Sequence, residues 1–434
     1  MLLGKYGSFL PLDSHRYTHF FHSAAAVFLV IMALWLPIWE VPADASYGLA
    51  IACIIFAGCW REKWHIVRKN PVAIAALVFY ALFFIGMTYT HTPFLPATHA
   101  LRKYFKLFGL VLMISYFVLQ PETRKWVIRA FLTGVFITVF FGYLRAFHLF
   151  DIAQYIMPVH AYNEPGTIYI NHVLAGLIFG MAYFLLLCIA WQAKGYWRYW
   201  YGLLIVVLLY DLLFMAIGRT TYIIVFLASI VFVLQQIRPM VKKILAILMI
   251  ILLVGMVSAL SPKMQKGLAN AYRLMHYKIC SPDAFAHADG RMTFLQHSWT
   301  LWKHSPIWGY GTHSFQYVYM KPPWVGHSLD WHGAGGISEA GQILVEPHNQ
   351  FAMAAVEFGI IGLALFIYLL YAEFRLGLLL EDPFYRSLGV GLAIIFAATC
   401  FSDAMLYIPL TGRFFVLFSA LIFSNPTKPK VAKQ

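Results

Sequence analysis

Charge is scarce in this chain of 434 residues: 12% are Asp, Glu, Lys or Arg, against 61% that are hydrophobic. Soluble domains carry about 25% charged residues, so an ordinary water-soluble globule is excluded. Cysteine is scarce too. Of Cys53, Cys59, Cys188, Cys280 and Cys400, four sit in apolar runs and none has metal-ligand spacing. Cys280 falls in a polar interval without a disulfide partner there. Acidic residues number 18 against 32 Lys and Arg, a net charge of +14. In a soluble protein that balance would point to nucleic acid. Here no basic nucleic-acid-binding module is present, and positive residues that fix topology and touch anionic headgroups account for the excess.

Several chemical signatures are also missing. Gly309-Tyr-Gly311 lacks the later glycine and the lysine of a phosphate loop, and no helical HExxH occurs. His327, Asp330 and His332 fit no standard zinc spacing. No metal and no cofactor are expected.

What the chain has is long apolar runs. A membrane helix needs about 20 apolar residues. On that rule spans are expected at 21–39, 46–60, 71–90, 105–120, 126–148, 168–192, 199–217, 220–237, 243–260, 349–374, 385–402 and 409–424. The predicted fold class is all-α, a polytopic membrane bundle of about twelve helices. Ala43-Asp-Ala45 resembles a signal-peptidase site, and the first run is read as an uncleaved span. The division runs 1–260 for nine helices, 261–348 for a large outer loop, 349–425 for three more helices and 426–434 for a tail.

The Lys and Arg distribution orients this bundle. With the N-terminus inside, 19 of the 32 lie on inner segments, 6 on short outer connections and 7 on the long loop. Long loops cross regardless of charge, so the comparison is 19 to 6. Both termini are expected in the cytoplasm and the long loop in the periplasm of an inner membrane. The six outer exceptions, Arg102, Lys103, Lys106, Arg145, Arg219 and Arg413, oppose that bias and need another explanation.

The interval from Ser261 to Asn349 is the one long polar stretch. A loop of this length is functional or disordered, and its tryptophans, tyrosines and histidines argue against disorder. Aromatics from Trp299 through Trp331 suit either a lid over the lipid surface or an interfacial belt. The Gly333–Gly341 segment fits a lid that opens.

Three pieces carry a resemblance. They are Gly218-Arg-Thr220 opening an apolar helix, Arg291 followed by Trp299 and Pro306-Ile-Trp-Gly-Tyr-Gly311, and His348-Asn349 followed by Glu357-Phe-Gly-Ile-Ile-Gly362. In this order and on this topology the chain resembles the O-antigen ligase and polymerase family of bacterial envelope glycosyltransferases. The detailed match runs over roughly 220–375. The N-terminal half matches only as a hydropathy pattern.

The resemblance implies an inverting, metal-independent enzyme that takes a glycan from undecaprenyl diphosphate. In the ligase branch the acceptor is a sugar of lipid A–core. Without a metal, cationic side chains must stabilise the departing diphosphate. Arg219 and Arg291 resemble the family's two arginines, and guanidinium grips phosphate oxygens in bidentate fashion. Arg145 and Arg102, with Lys103, are further candidates without motif support. The bland readings stay open: Arg219 as an interfacial arginine snorkelling to lipid phosphate, Arg291 as a surface arginine in a turn.

His348 matches the family's histidine, and histidine is the side-chain type suited to a general base. The competing reading is a structural histidine at a helix start. Asn349 is read as a helix cap, and Glu357 as a helix-packing or hydrogen-bonding group. Asp211 and Asp403 are read as intramembrane acids, which would equally suit a proton-coupled transporter. An O-antigen polymerase, a protein O-oligosaccharyltransferase and a flippase for the same lipid-linked glycan are the alternatives. Membrane lipids are expected partners, and oligomeric state is not fixed by the sequence.

Overall fold

A computed structural model describes residues 12–150, 172–215, 218–260, 290–319 and 346–427, together with 265, 269 and 272. Among these residues the fold is all-helical, with one isolated bridge between Leu380 and Thr427. The first seven helices are α1 Leu12–Trp35, α2 Glu40–Phe56, α3 Trp60–Val67, α4 Pro71–Met87, α5 Phe94–Tyr104, α6 Lys106–Leu119 and α7 Thr123–Ala146. Then come α8 His172–Gln192, α9 Tyr196–Tyr210 with a π-helical turn at Asp211–Met215, α10 Arg219–Gln236 and α11 Met240–Leu260. The last five are α12 Gly290–His304, α13 Phe315–Tyr319, α14 Gln350–Leu379, α15 Pro383–Thr399 and α16 Pro409–Phe423.

Each apolar run read from the sequence falls on one of these helices. Among the described residues, six helices are long and apolar enough to cross a membrane alone, or seven if α2 and α3, bent by 112°, form one broken span. The bend occurs at Gly58-Cys59, both in left-handed backbone. Several helices differ from the hydropathy reading. Helix α1 begins earlier, in a polar stretch. Helix α14 continues to Leu379. Helix α5 was not read as a helix, because Phe94–Tyr104 has an apolar face too short to span.

Local chemistry explains the ends. Asn70 caps α4 by accepting from Val72 and Ala73 N–H at 3.0 and 3.1 Å, with Pro71 in the first turn. Asp382 caps α15 in the same way, through Phe384 N–H at 2.7 Å ahead of Pro383. Proline suits the first turn because its missing N–H would have no partner there anyway.

One surface requires lipid. Helix α11 leaves Leu252 and Met249 at 73% and 70% exposure, in a run that also exposes Leu245, Leu248 and Met256. Water would not tolerate so continuous an apolar face, whereas a bilayer does.

Helix α14 is broken. Phe358 (φ −131°, ψ 15°) and Gly359 (φ 63°, ψ −154°) interrupt it after two turns. The break orphans backbone groups, and in a membrane these must be satisfied within the protein. The turn at 306–311 satisfies them. Tyr310 and Gly311 N–H donate to the Val356 and Glu357 carbonyls at 3.1 and 2.8 Å, and Ile360 N–H donates to Pro306 O at 2.8 Å.

The same turn is tied to the end of α4. Thr90 and Thr92 hydroxyls donate to the Thr312 and His313 carbonyls, and Thr312 donates to Phe83 O. Glu357, just before the break, accepts the backbone N–H groups of Phe315 and His313. Its reading as a hydrogen-bonding, packing residue fits this position. The Pro306–Gly311 motif is therefore a splint across a broken helix.

Two glycines leave no room in that splint. A Cβ on Gly359 would meet Ile307 O at 2.2 Å, and one on Gly309 would meet the Glu357 backbone at 2.5 Å. Gly359 also occupies backbone that is essentially glycine-only. Gly359→Ala is expected to lower folding stability by more than about 2 kcal/mol. Thermal unfolding in detergent reads this; an unchanged melting temperature would show the splint to be dispensable.

Candidate functional site

The splint sits at one end of the bundle, with the α5–α6 corner, the entry to α14 and the α15–α16 turn. The opposite end is set by a different group. There Arg124 donates to Asn425 Oδ1 and Phe117 O at 2.7 Å and to Ser424 O at 3.1 Å, while Asn70 donates to Phe423 O.

His348 stands at the mouth of α14 in left-handed backbone, φ 49°. Non-glycine residues seldom adopt this conformation, and such strain collects at functional sites. The position is over-determined by its neighbours. Asn349 caps α14, accepting Ala352 N–H at 2.9 Å, and its amide donates to Phe401 O. Gln350 accepts Leu406 and Tyr407 N–H at 2.8 and 3.1 Å. Gln350 N–H donates to Cys400 O at 2.8 Å. The α15–α16 turn and the α14 entry are thus one hydrogen-bonded unit.

Within it, the His348 Nδ1 lies 3.1 Å from Asp403 Oδ1, which also accepts Ala404 N–H at 2.9 Å. Asp403 is therefore no mid-span acid: it lies in the turn between α15 and α16 and faces the histidine. A carboxylate can only accept, so Nδ1 carries the proton and Nε2 of the neutral ring keeps its lone pair. The Phe294 ring packs edge-on to the imidazole at 5.6 Å.

Glu346 completes the cluster. Polar atoms of Glu346, His348 and Asp403 lie within 4.8 Å of one another. One Glu346 oxygen, Oε2, is sealed from solvent without a hydrogen-bond partner. Burial, and then the Asp403 carboxylate, push Glu346 well above the usual carboxylate range; Lys103 and Lys106 act the other way. These three are the residues that could gather round a cation among those described. Two ammonium groups beside them oppose one, and the arrangement suits proton handling better.

Three of the six cations that oppose the charge bias are held by protein partners. Lys103 Nζ donates to Tyr407 OH at 2.8 Å and lies 4.0 Å from that ring's centre. Burial lowers its pKa, with Glu346 and Glu40 raising it. Lys106 is buried against the Tyr407 and Ile408 carbonyls. Arg413 pairs with Glu40 and Asp44.

Arg219 is the first residue of α10, after Gly218, and Arg291 lies in the first turn of α12; both side chains fall outside the described residues. Arg291 stands one turn before Phe294, the residue that touches His348. Arg145 is partly buried in the last turn of α7, and Arg102 is exposed beside Lys103. Arg102 is not the α5 residue that reaches the Glu346 cluster; Lys103 is. The Gly333–Gly341 segment, Trp331, Cys280, His327, Asp330, His332 and the tail after Thr427 lie outside the described residues.

Sequence reasoning missed Asp403 as a partner of His348. No local spacing joins 348 to 403. The signal available was that Asp403 follows the end of an apolar run, where a turn rather than a span begins.

An all-helical, membrane-type protein with a strained histidine held by a carboxylate at one end of its bundle is the class defined so far. The family comparison goes further: residues 204–367 match the family model described as O-Antigen ligase. That segment carries an O-antigen ligase domain, in agreement with the resemblance read from the motifs, and it includes Arg219, Arg291, the splint and His348. No curated protein matches the chain.

Asn349→Ala is expected to cost about 0.5–2 kcal/mol, the usual worth of a helix cap, and Asn349→Asp to retain most of it. Thermal unfolding of both variants in detergent makes the comparison. Equal melting temperatures for wild type and Asn349→Ala would remove the cap from the account.

Proposed function

We propose that this protein transfers a glycan from undecaprenyl diphosphate to a sugar hydroxyl of lipid A–core, with inversion and without a metal ion. The observation that carries the reading is His348, placed within an O-antigen ligase domain with Nε2 free to accept a proton. In this reading twelve helical runs cross the inner membrane, both termini are cytoplasmic and the site faces the periplasm. The outer segment 261–348 and the helices 1–260 and 349–425 keep the roles expected of them from the sequence.

The acceptor hydroxyl is nearly unreactive while protonated. His348 Nε2 takes its proton as the oxygen attacks the anomeric carbon, a contribution of about 10²–10⁴-fold in rate. The bond from that carbon to the diphosphate oxygen breaks, and its electron pair leaves with the diphosphate. Arg219 and Arg291, from the first turns of α10 and α12, bind this growing charge. Arg145 and Arg102 are additional contacts for the donor headgroup. Exclusion of water protects the donor from hydrolysis, a task that falls to the aromatic outer segment.

Polymerase and protein-glycosylating reactions use the same donor and differ in acceptor. Reconstitution with lipid-linked donor and each acceptor in turn therefore tests the reaction class. Product on lipid A–core is expected; product only on a second donor chain, or on protein, would overturn the ligase assignment.

His348→Ala is expected to reduce transfer by at least about 10²-fold while donor still binds. Arg219→Ala and Arg291→Ala should weaken donor binding or turnover equally with and without chelator. Full activity of His348→Ala, or loss of wild-type activity in EDTA, would defeat the scheme.

A further inference from the structure

At the end of the bundle opposite His348, a cleft of about 740 Å³ opens between α7, α8, α9 and α15. The transfer scheme gives it no part. Its volume falls within the range of ligand sites, about 300–1,000 Å³. Arg129, Lys194 and Gln192 bring N–H donors to its lining, and Trp197, Tyr201 and Tyr385 form aromatic walls. We propose that this cleft binds the phosphate of an anionic glycerophospholipid headgroup, drawn from the bilayer leaflet at that end.

The local sequence builds the cleft. Helices α8 and α9 are joined by Ala193-Lys194-Gly195 alone, with Gly195 at φ 59°, a conformation that favours glycine. Lys194 therefore stands exposed at the tip of a tight turn, and Arg129 reaches the same cleft from the second turn of α7. Neither cation has an acidic partner among the described residues. Asp382, the one carboxylate on the lining, already accepts Phe384 N–H at 2.7 Å as the α15 cap. Glu122, at the start of α7, pairs with Lys125.

The neighbouring Arg124 shows what a structural cation looks like here. Asn425 and two carbonyls hold its guanidinium, which lies 6.0 Å from the Tyr385 ring centre. Arg129 has no such cage. It lies 5.1 Å from the Trp126 ring centre, and a guanidinium stacked on an aromatic face keeps its N–H edge for an anion. That edge grips phosphate oxygens two at a time.

The surroundings point to a lipid rather than a soluble anion. Tyr196, Trp197, Tyr199 and Trp200 open α9 with exposures between 42% and 80%, and Trp126 is exposed beside Arg129. Tyrosine and tryptophan gather where membrane meets water, so the cleft lies at headgroup depth. Cations at that depth attract anionic lipids. Two of them against one capped carboxylate favour a headgroup with net negative charge over a zwitterionic one. In the proposed orientation this is the cytoplasmic leaflet. The bound headgroup ties α7 to the α8–α9 turn. Binding here is independent of the chemistry at His348, so the test needs no glycan donor.

Full-length protein, stripped of lipid in detergent, is titrated with phosphatidylglycerol and with phosphatidylcholine, and native mass spectrometry counts the lipid bound. One phosphatidylglycerol is expected to bind in preference to phosphatidylcholine. Arg129→Gln/Lys194→Gln should weaken that binding by about 30-fold and each single variant by about 5-fold, the loss of one or two cations at an anionic surface. Arg129→Lys/Lys194→Arg, which keeps both charges, should retain most of the affinity. Arg61→Gln/Lys69→Gln removes two exposed cations from the α3 region at the same end and should bind as wild type.

Equal affinity for the two lipids would overturn the site. So would wild-type binding in Arg129→Gln/Lys194→Gln or, if that variant does not fold, in both single variants. An equal loss in Arg61→Gln/Lys69→Gln would reduce the effect to general surface charge and overturn it as well. Displacement of the lipid by glycerol phosphate at equal concentration would assign the cleft to a soluble phosphate and overturn the lipid.

Discussion

The structure depends on one requirement of the bilayer: every backbone N–H and C=O within it must find a partner inside the protein. Helix α14 violates this at Phe358-Gly359, and the 306–311 turn repairs the violation with three backbone hydrogen bonds. The repair fixes the segment that precedes α14 onto the helical bundle. From that anchorage follow the positions of α12 and α13, whose Phe294, Phe315 and Tyr319 form a second small core with Val356 at the base of α14. The segment bearing Arg291 is thereby held beside the helix that begins after His348.

A second device works at the same end. Gln350 and Asn349 bind the α14 entry to the turn at 400–407, so that a histidine and an aspartate 55 residues apart are set face to face. Buried polar contacts of this kind carry a high penalty if half-made, and rigidify when complete. The strain at His348 persists because its neighbours on both sides are pinned. Rigid supports of this sort suit the role proposed for His348, since small displacements of a base are costly.

Much of the helical layout was legible in the sequence because hydropathy reports directly on a helix that must sit in lipid. Helices α4, α6, α8 and α16 begin and end close to the apolar runs that announced them. Helix α5 was missed because an amphipathic eleven-residue helix has no long run to show. The break in α14 was hidden because Phe358-Gly359 is as apolar as its flanks, and only the φ of 63° betrays it. At the site, His348 was visible through its motif and Asn349 through its capping chemistry. Asp403 was not, because pairing across two helices is a tertiary fact with no sequence period. Lys103, rather than Arg102, meets the cluster for the same reason: the helical phase of α5 decides which of two adjacent cations points inward.

The O-antigen ligase match ends at 367, whereas Asp403 and the turn that seats Gln350 lie beyond it. The hydrogen-bonded unit around His348 is thus larger than the matched segment. A chimera built by transplanting 204–367 into a relative would carry the imidazole but take the carboxylate that faces it from the host's own last helices. Compatibility between such hosts and grafts is decided in the α15–α16 turn, a region that contributes none of the motifs by which the module is known.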